Sequence, residues 1–114
     1  MGRKKIKRGD IYLVEPVGEG SMQQGVRPAV MIGHNAGNRT STVHPVVYIT
    51  SQEKRNLPTH VPITLDRPGV VLCEHPQSIP DRRIKSKIGH LSDEEMKRVN
   101  HALSIGLGLY SRKE

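Results

Sequence analysis

The sequence predicts a mostly β, α+β fold: a small barrel of short strands with one C-terminal α-helix packed on it. Short apolar runs rich in β-branched residues recur up to Leu91, each bounded by Gly, Pro, Asn or Asp. One stretch of helical periodicity then follows, opening on Ser92 and Glu95 at capping-box spacing. The 114 residues suit a single domain over 1–114, without repeat or linker.

Taken in order, Gly9-Asp10 opens the run Ile11-Tyr12-Leu13-Val14, which ends at Pro16 and reads as a buried strand. Residues 17–25 hold Gly18, Gly20 and Gly25 without an apolar period, a polar loop. Val26-Arg27-Pro28 leads into a second strand, Ala29 to Ile32. His34 to Thr42 is a loop or a single helical turn. Pro45 to Thr50, dense in β-branched residues, is a third strand. His60 to Ile63 forms a fourth, confined to a sheet edge by Pro62. Val70 to Glu74 is a fifth, bounded by Pro68-Gly69 and Pro76, and Lys87 to Leu91 adds a sixth. Asp93 and Glu94 suit the positive end of the final helix. Met96, Val99, Leu103, Leu107 and Tyr110 then recur at spacings of three and four, one apolar helix face. Gly106 and Gly108 weaken that helix and read as fraying or as points of close backbone approach.

Composition narrows the function classes. Lys and Arg number 18 against 11 Asp and Glu, a formal charge of +7. Such a balance favours nucleic acid, an anionic membrane or an acidic protein partner. Five basic residues crowd the first eight positions, a solvated and frayed start over 1–8 or a non-specific phosphate contact. Arg82, Arg83, Lys85 and Lys87 extend the same field. Apolar residues are 34% of the chain, below the roughly 45–50% usual for globular domains, so a second burial surface such as a dimer interface fits. With three Tyr and no Phe or Trp, the chain lacks the aromatic rows on which single-strand binders stack bases. One cysteine, Cys73, excludes an intrachain disulfide, and its place inside an apolar strand favours inert burial. The six histidines never fall at close ligand spacings, so no metal site is expected. No apolar run approaches the roughly twenty residues of a membrane span, and no export signal follows the basic start, which points to the cytoplasm. Walker loops, dinucleotide fingerprints and nucleophile elbows are also missing.

One constellation of polar residues remains. Ser21, Gln23, Gln24 and Arg27 lie on or beside the Gly-rich loop at the mouth of the second strand. Thr50-Ser51-Gln52 ends the third strand, and Glu74-His75-Pro76-Gln77 ends the fifth. Taken singly, Arg27 is more often a salt-bridged surface residue, and Thr50 more often a strand-end capper. Together they describe a basic, mostly β protein that binds an anion.

Arg8-Gly9-Asp10-Ile11-Tyr12 and Gly20-Ser21-x-Gln23-Gln24-Gly25-Val26-Arg27-Pro28 resemble the opening of the MazF/PemK toxins of bacterial toxin–antitoxin systems. The resemblance continues through Gly37-Asn38-Arg39, Ile49-Thr50, Leu57-Pro58-Thr59-His60-Val61, Val70 to Glu74, Lys87-Ile88-x-His90-Leu91 and the closing Leu107-Gly108-Leu109. It implies an SH3-like barrel of five to seven strands, PemK/CcdB-like, acting as a homodimer. It also implies cofactor-free, metal-independent cleavage of single-stranded RNA, and an antitoxin partner whose acidic, partly disordered segment covers the substrate path. RNA carries its own nucleophile, the ribose 2′-OH, so the protein need only align, neutralise and move protons. By the resemblance, Arg27 clamps the scissile phosphate and Thr50 donates a hydrogen bond to it. Ser21, Gln23, Gln24, Ser51, Gln52 and Gln77 are candidates for reading bases, and Glu74 is a base-reader or general base. Two departures stand out: Met22 where many relatives carry Glu, and Leu72 where one branch carries Arg. They leave the general base unassigned. They also keep open a catalytically attenuated RNA- or antitoxin-binding homologue, beside a gyrase-directed toxin of the related barrel family.

Overall fold

The computed structural model describes residues 5–16, 25–52 and 55–110. Along the chain run β1 (Asp10–Val14), β2 (Arg27–Met31), α1 (Asn35–Thr40), β3 (Val43–Thr50), β4 (His60–Thr64) and β5 (Pro68–Leu72). There follow β6 (Gln77–Pro80), a single 3₁₀ turn (Asp81–Arg83), β7 (Ile84–His90) and α2 (Asp93–Gly106). The strands form one antiparallel sheet in the order β4-β5-β3-β2-β1-β7, with β6 also on β3.

β3 is the hub, because its eight residues offer more edge than any one neighbour uses. β2 pairs along one edge, from Met31 opposite Val46 to Ala29 opposite Tyr48. On the other edge, β6 takes Val43 to Val46, and β5 takes Ile49 and Thr50. Alternation then sends successive side chains to two cores. Ile11, Val30, Val47 and Ile49 join β4, β5 and the buried face of α2 at Val99, Ala102 and Leu103. Tyr12, Val14, Ala29, Met31 and Val46 join Ile6, Ile79 and Ile84. Burial on both faces is why these strands read as continuous apolar runs rather than alternating ones.

The expected barrel is an open sheet. β4 and β7 are its ends, and no ladder joins them. Proline chemistry explains the open edge at β4. The Cys73 N–H donates to the Thr59 carbonyl at 2.9 Å, so alternation puts Val61 and Ile63 in the bonded pairs with β5. The ring nitrogen of Pro62 therefore faces away from β5, and the outer edge lacks a donor at its centre. Contact with β7 is made instead by a side chain: a Cβ added to Gly89 would lie 3.9 Å from Leu65 Cδ2.

A second proline sets the role of Arg8. The Ile32 N–H donates to the Pro45 carbonyl at 3.1 Å, the first half of a reciprocal pair, but Pro45 has no N–H to return. The Arg8 Nε supplies it, donating to the Ile32 carbonyl at 2.9 Å. Arg8 also reaches Asn100 Oδ1 of α2 through Nη1, and its backbone N–H donates to Asn35 Oδ1. Burial lowers its pKa. Ile6 is 4% exposed in the second core. Residues 1–4 lie outside the described residues, and the expected frayed start does not extend to Ile6 and Arg8.

Several element boundaries differ from the sequence reading. β6 is additional: Gln77 to Pro80 is short and lies between prolines, yet Ile79 is fully buried beside β3. β5 begins at Pro68 and ends before Cys73, because the turn at Leu65 to Arg67 is tighter than Pro68-Gly69 suggests. His34 to Thr42 contains the six-residue α1, held down by buried Asn38. The Asn38 Nδ2 donates to the Gly33 carbonyl, and its Oδ1 meets Nδ1 of buried His44 at 3.2 Å. The capping box is present, with Glu95 N–H donating to Ser92 Oγ at 3.1 Å and Ser92 N–H to Glu95 Oε1 at 2.9 Å. The helix stops at Gly106, so Leu107 and Tyr110 do not extend its buried face. Tyr110 instead packs edge-on against His101 with ring centroids 4.9 Å apart. Gly106 marks close approach, since a Cβ there would lie 3.1 Å from the Cys73 carbonyl oxygen, and Gly108 takes φ +76°.

Replacing Arg8 by Met should cost about 1–3 kcal/mol in urea unfolding, because it orphans the Ile32 carbonyl. In a Pro45→Ala background, where an N–H is restored, the same change should cost clearly less. Equal costs in both backgrounds would show that the guanidinium does not fill the proline gap.

Candidate active site

Arg27 is the first residue of β2 and Thr50 the last of β3. Continuing the β2–β3 register two residues past Ala29 and Tyr48 sets Arg27 opposite Thr50. Both line one cleft of about 630 Å³, together with Tyr48, Ser51 and Gln52. Leu13, Leu72 and Ile88 give it an apolar wall. The far lip is the tip of the β4–β5 hairpin, Leu65 to Pro68.

The local chemistry suits an anion. Arg27 is exposed and makes no hydrogen bond or ion pair with any described residue, so the salt-bridged surface reading finds no partner there. It lies close enough to Tyr48 to oppose the rise in the phenol pKa that burial causes. The Gln52 N–H donates to Thr50 Oγ1 at 3.1 Å. That bond occupies a lone pair and leaves the hydroxyl proton to be donated into the cleft. A fork of N–H donors and an oriented O–H on adjacent strand ends form a cradle for a tetrahedral oxyanion such as a phosphodiester.

The other predicted residues divide. Ser51 and Gln52 are on the cleft wall. Ser21, Gln23 and Gln24, with Met22, lie outside the described residues. Glu74 and Gln77 are not part of this cleft. Gln77 sits opposite Val46 in the β6–β3 ladder. Glu74 Oε2 meets His60 Nε2 at 2.8 Å, while His60 Nδ1 lies 2.7 Å from the Arg55 carbonyl. Burial pushes the Glu74 carboxyl upward, but hydrogen bonds from His60, its own backbone and Thr59 outweigh it and leave the pKa lowered. This pair ties the β3–β4 connection to the end of β5. Cys73 beside it is fully buried, and burial, with the neighbouring Glu74 charge, pushes its thiol up to about 12, an inert sulfur.

Sequence reasoning missed the far lip. Asp66 and Arg67 line the cleft and Leu65 anchors them, yet Leu65-Asp66-Arg67-Pro68 carries no motif. The signal available was a hairpin turn between two apolar runs, ahead of Pro68-Gly69.

The fold is shared with solved endoribonucleases. An endoribonuclease from Mycobacterial species superposes with a TM-score of 0.82 at 21% identity, covering 96% of this chain and 98% of that one. An endoribonuclease in complex with its cognate antitoxin, also from Mycobacterial species, gives 0.80 at 23% identity, covering 94% and 99%. At these identities the likeness is one of fold. The family rests on sequence: residues 7–107 match the model of the PemK-like, MazF-like toxin of type II toxin–antitoxin systems. Endoribonuclease MazF of Staphylococcus saprophyticus is 41% identical over 93% of this chain and 94% of its own length. The chain belongs to the PemK-like, MazF-like toxin family.

The lowered Glu74 pKa has a pH consequence. A carboxyl whose folded pKa is depressed contributes stability above its unfolded pKa, about 4.5, and loses it as pH falls through the folded value. Between pH 6 and pH 3 the wild-type melting temperature should therefore fall further than that of Glu74→Gln. Parallel melting curves for the two proteins would dismiss a stabilising His60–Glu74 pair.

Proposed function

We propose that this protein is the toxin of a type II toxin–antitoxin pair and a sequence-specific, metal-independent endoribonuclease acting on single-stranded RNA. The observation that carries the reading is that Arg27, without a partner among the described residues, and Thr50, whose hydroxyl accepts from the Gln52 N–H, line one cleft. The ribose 2′-OH attacks the adjacent phosphorus, the bond to the 5′-oxygen breaks, and the products end in a 2′,3′-cyclic phosphate and a 5′-OH. Arg27 neutralises the extra negative charge of the transition state with donors that match two phosphate oxygens. Its role is charge stabilisation rather than proton donation. Thr50 fixes the phosphate in line with the attacking oxygen.

Ser51 and Gln52, at the cleft wall, and Ser21, Gln23 and Gln24, just before Arg27 in sequence, are the proposed base readers. Glu74, engaged with His60, and Gln77, held on β6, lack that support as RNA contacts. The unit is one domain working as a homodimer. Leu107 and Leu109, 55% and 77% exposed, supply apolar surface for a second copy. The +7 charge suits an antitoxin with an acidic, partly disordered segment that occupies the RNA path. The relative solved with its cognate antitoxin supports such a partner. Among the described residues no helix is long and apolar enough to cross a membrane, and the reading places the protein in the cytoplasm, where mRNA is.

Purified protein incubated with long RNA in EDTA should give discrete fragments ending in 2′,3′-cyclic phosphate. Thr50→Val should lower the rate about 10²–10³-fold, as for loss of one oxyanion donor. Arg27→Lys should also be strongly impaired, because charge without the fork is insufficient. Intact RNA, or full activity in both variants, would reject the reading. Added cognate antitoxin should abolish cutting and compete with a 2′-deoxy-substituted oligonucleotide; unchanged cleavage in its presence would reject occlusion.

A further inference from the structure

The reaction needs an acceptor for the 2′-OH proton, and neither Arg27 nor Thr50 can serve. We propose that Asp66, at the tip of the β4–β5 hairpin, is that general base. The inference rests on the endoribonuclease reading of the same cleft.

Elimination within the cleft comes first. Among the described residues its charged lining groups are Arg27, Arg67 and Asp66, and no described histidine or cysteine lines it. Tyr48 is the other titratable group there, and burial keeps its phenol protonated. Asp66 is thus the one carboxylate among the described lining residues, in the same cleft as Arg27 and Thr50. It makes no hydrogen bond or ion pair with any described residue, so its lone pairs are not engaged by the fold.

The tip is also built to hold a side chain in place. The β4–β5 ladder runs up to the pair Thr64 and Pro68, and the Leu65 N–H donates to the Arg67 carbonyl at 3.1 Å. Leu65 packs beneath against the first core, and Pro68 restricts the backbone on the other side. Asp66 and Arg67 are left exposed above this anchored turn. A base on a rigid turn meets the demand for positioning better than one on a free loop.

In the step itself, the 2′-OH proton passes to the Asp66 carboxylate as the 2′-oxygen bonds to phosphorus. The phosphorus–5′-oxygen bond then breaks, the departing oxygen takes a proton from water, and Asp66 returns its proton to solvent. Arg67 beside it offers a second contact for the RNA backbone.

The test uses the full chain and a short RNA that wild type cuts once. Asp66→Asn should lower kcat by about 10²-fold or more, the usual range for a general base, and should flatten the rise of rate with pH seen in wild type. Asp66→Glu should recover part of the loss. Binding of the 2′-deoxy-substituted oligonucleotide, which also reports folding, should stay within about 3-fold of wild type. Cleavage by Asp66→Asn close to wild type with the same pH profile would overturn the proposal. So would a loss equal at every pH, or one matched by lost binding, which would make Asp66 a positioning residue. A wild type that cuts no RNA would instead remove the endoribonuclease reading, an outcome visible before any variant is made.

Discussion

The β2–β3 ladder is the constraint on which the rest depends. Its register sets Arg27 against Thr50, and every other element serves to hold that register in place. β6 and β5 occupy the outer edge of β3 in tandem, and the two cores clamp the strands from both faces. A slip of one residue would turn Val46 and Val47 into each other's core, so the packing defends the alignment of Arg27 with Thr50. Precise placement of two polar tips is thereby carried by aliphatic side chains that never touch a substrate.

Much of this was legible in the sequence because the signals were physical and local. The runs around Ile11, Val30 and Val47 are buried on both faces, and a strand in that position has no need to alternate. Ser92 and Glu95 marked the start of α2 by direct chemistry, each satisfying the other's backbone donor. Pro62 announced an edge strand, and it stands on one. The Arg27–Thr50 pair was visible through family resemblance, and the register gives it a geometric reason.

The remainder was hidden for equally physical reasons. β6 lies between prolines and earns its place through Ile79 alone, a contact that only tertiary structure reveals. Glu74 and Thr50 both look like strand-end polar residues, but sequence does not say which end of a sheet a strand finishes on. Antiparallel pairing sends Glu74 toward His60 and away from the cleft. The lip at Asp66 follows from a hairpin whose tip approaches β7 through Leu65, a meeting of chain segments far apart in sequence. Arg8 looked like one more charge in a basic run, whereas its partner is a carbonyl left over by a proline 37 positions later in the chain.

That arrangement makes assembly a late event. The Arg8 guanidinium bridges Ile32 and Asn100, and β1 pairs with β7, so the first strand waits for the last. A growing polypeptide could zip β2 to β3 early, but the wall formed by Ile88 has no existence until some ninety residues have been made. Folding governed by such distant contacts is slow compared with that of helical bundles of similar size. Emerging partial chains therefore carry the paired strands without a finished groove.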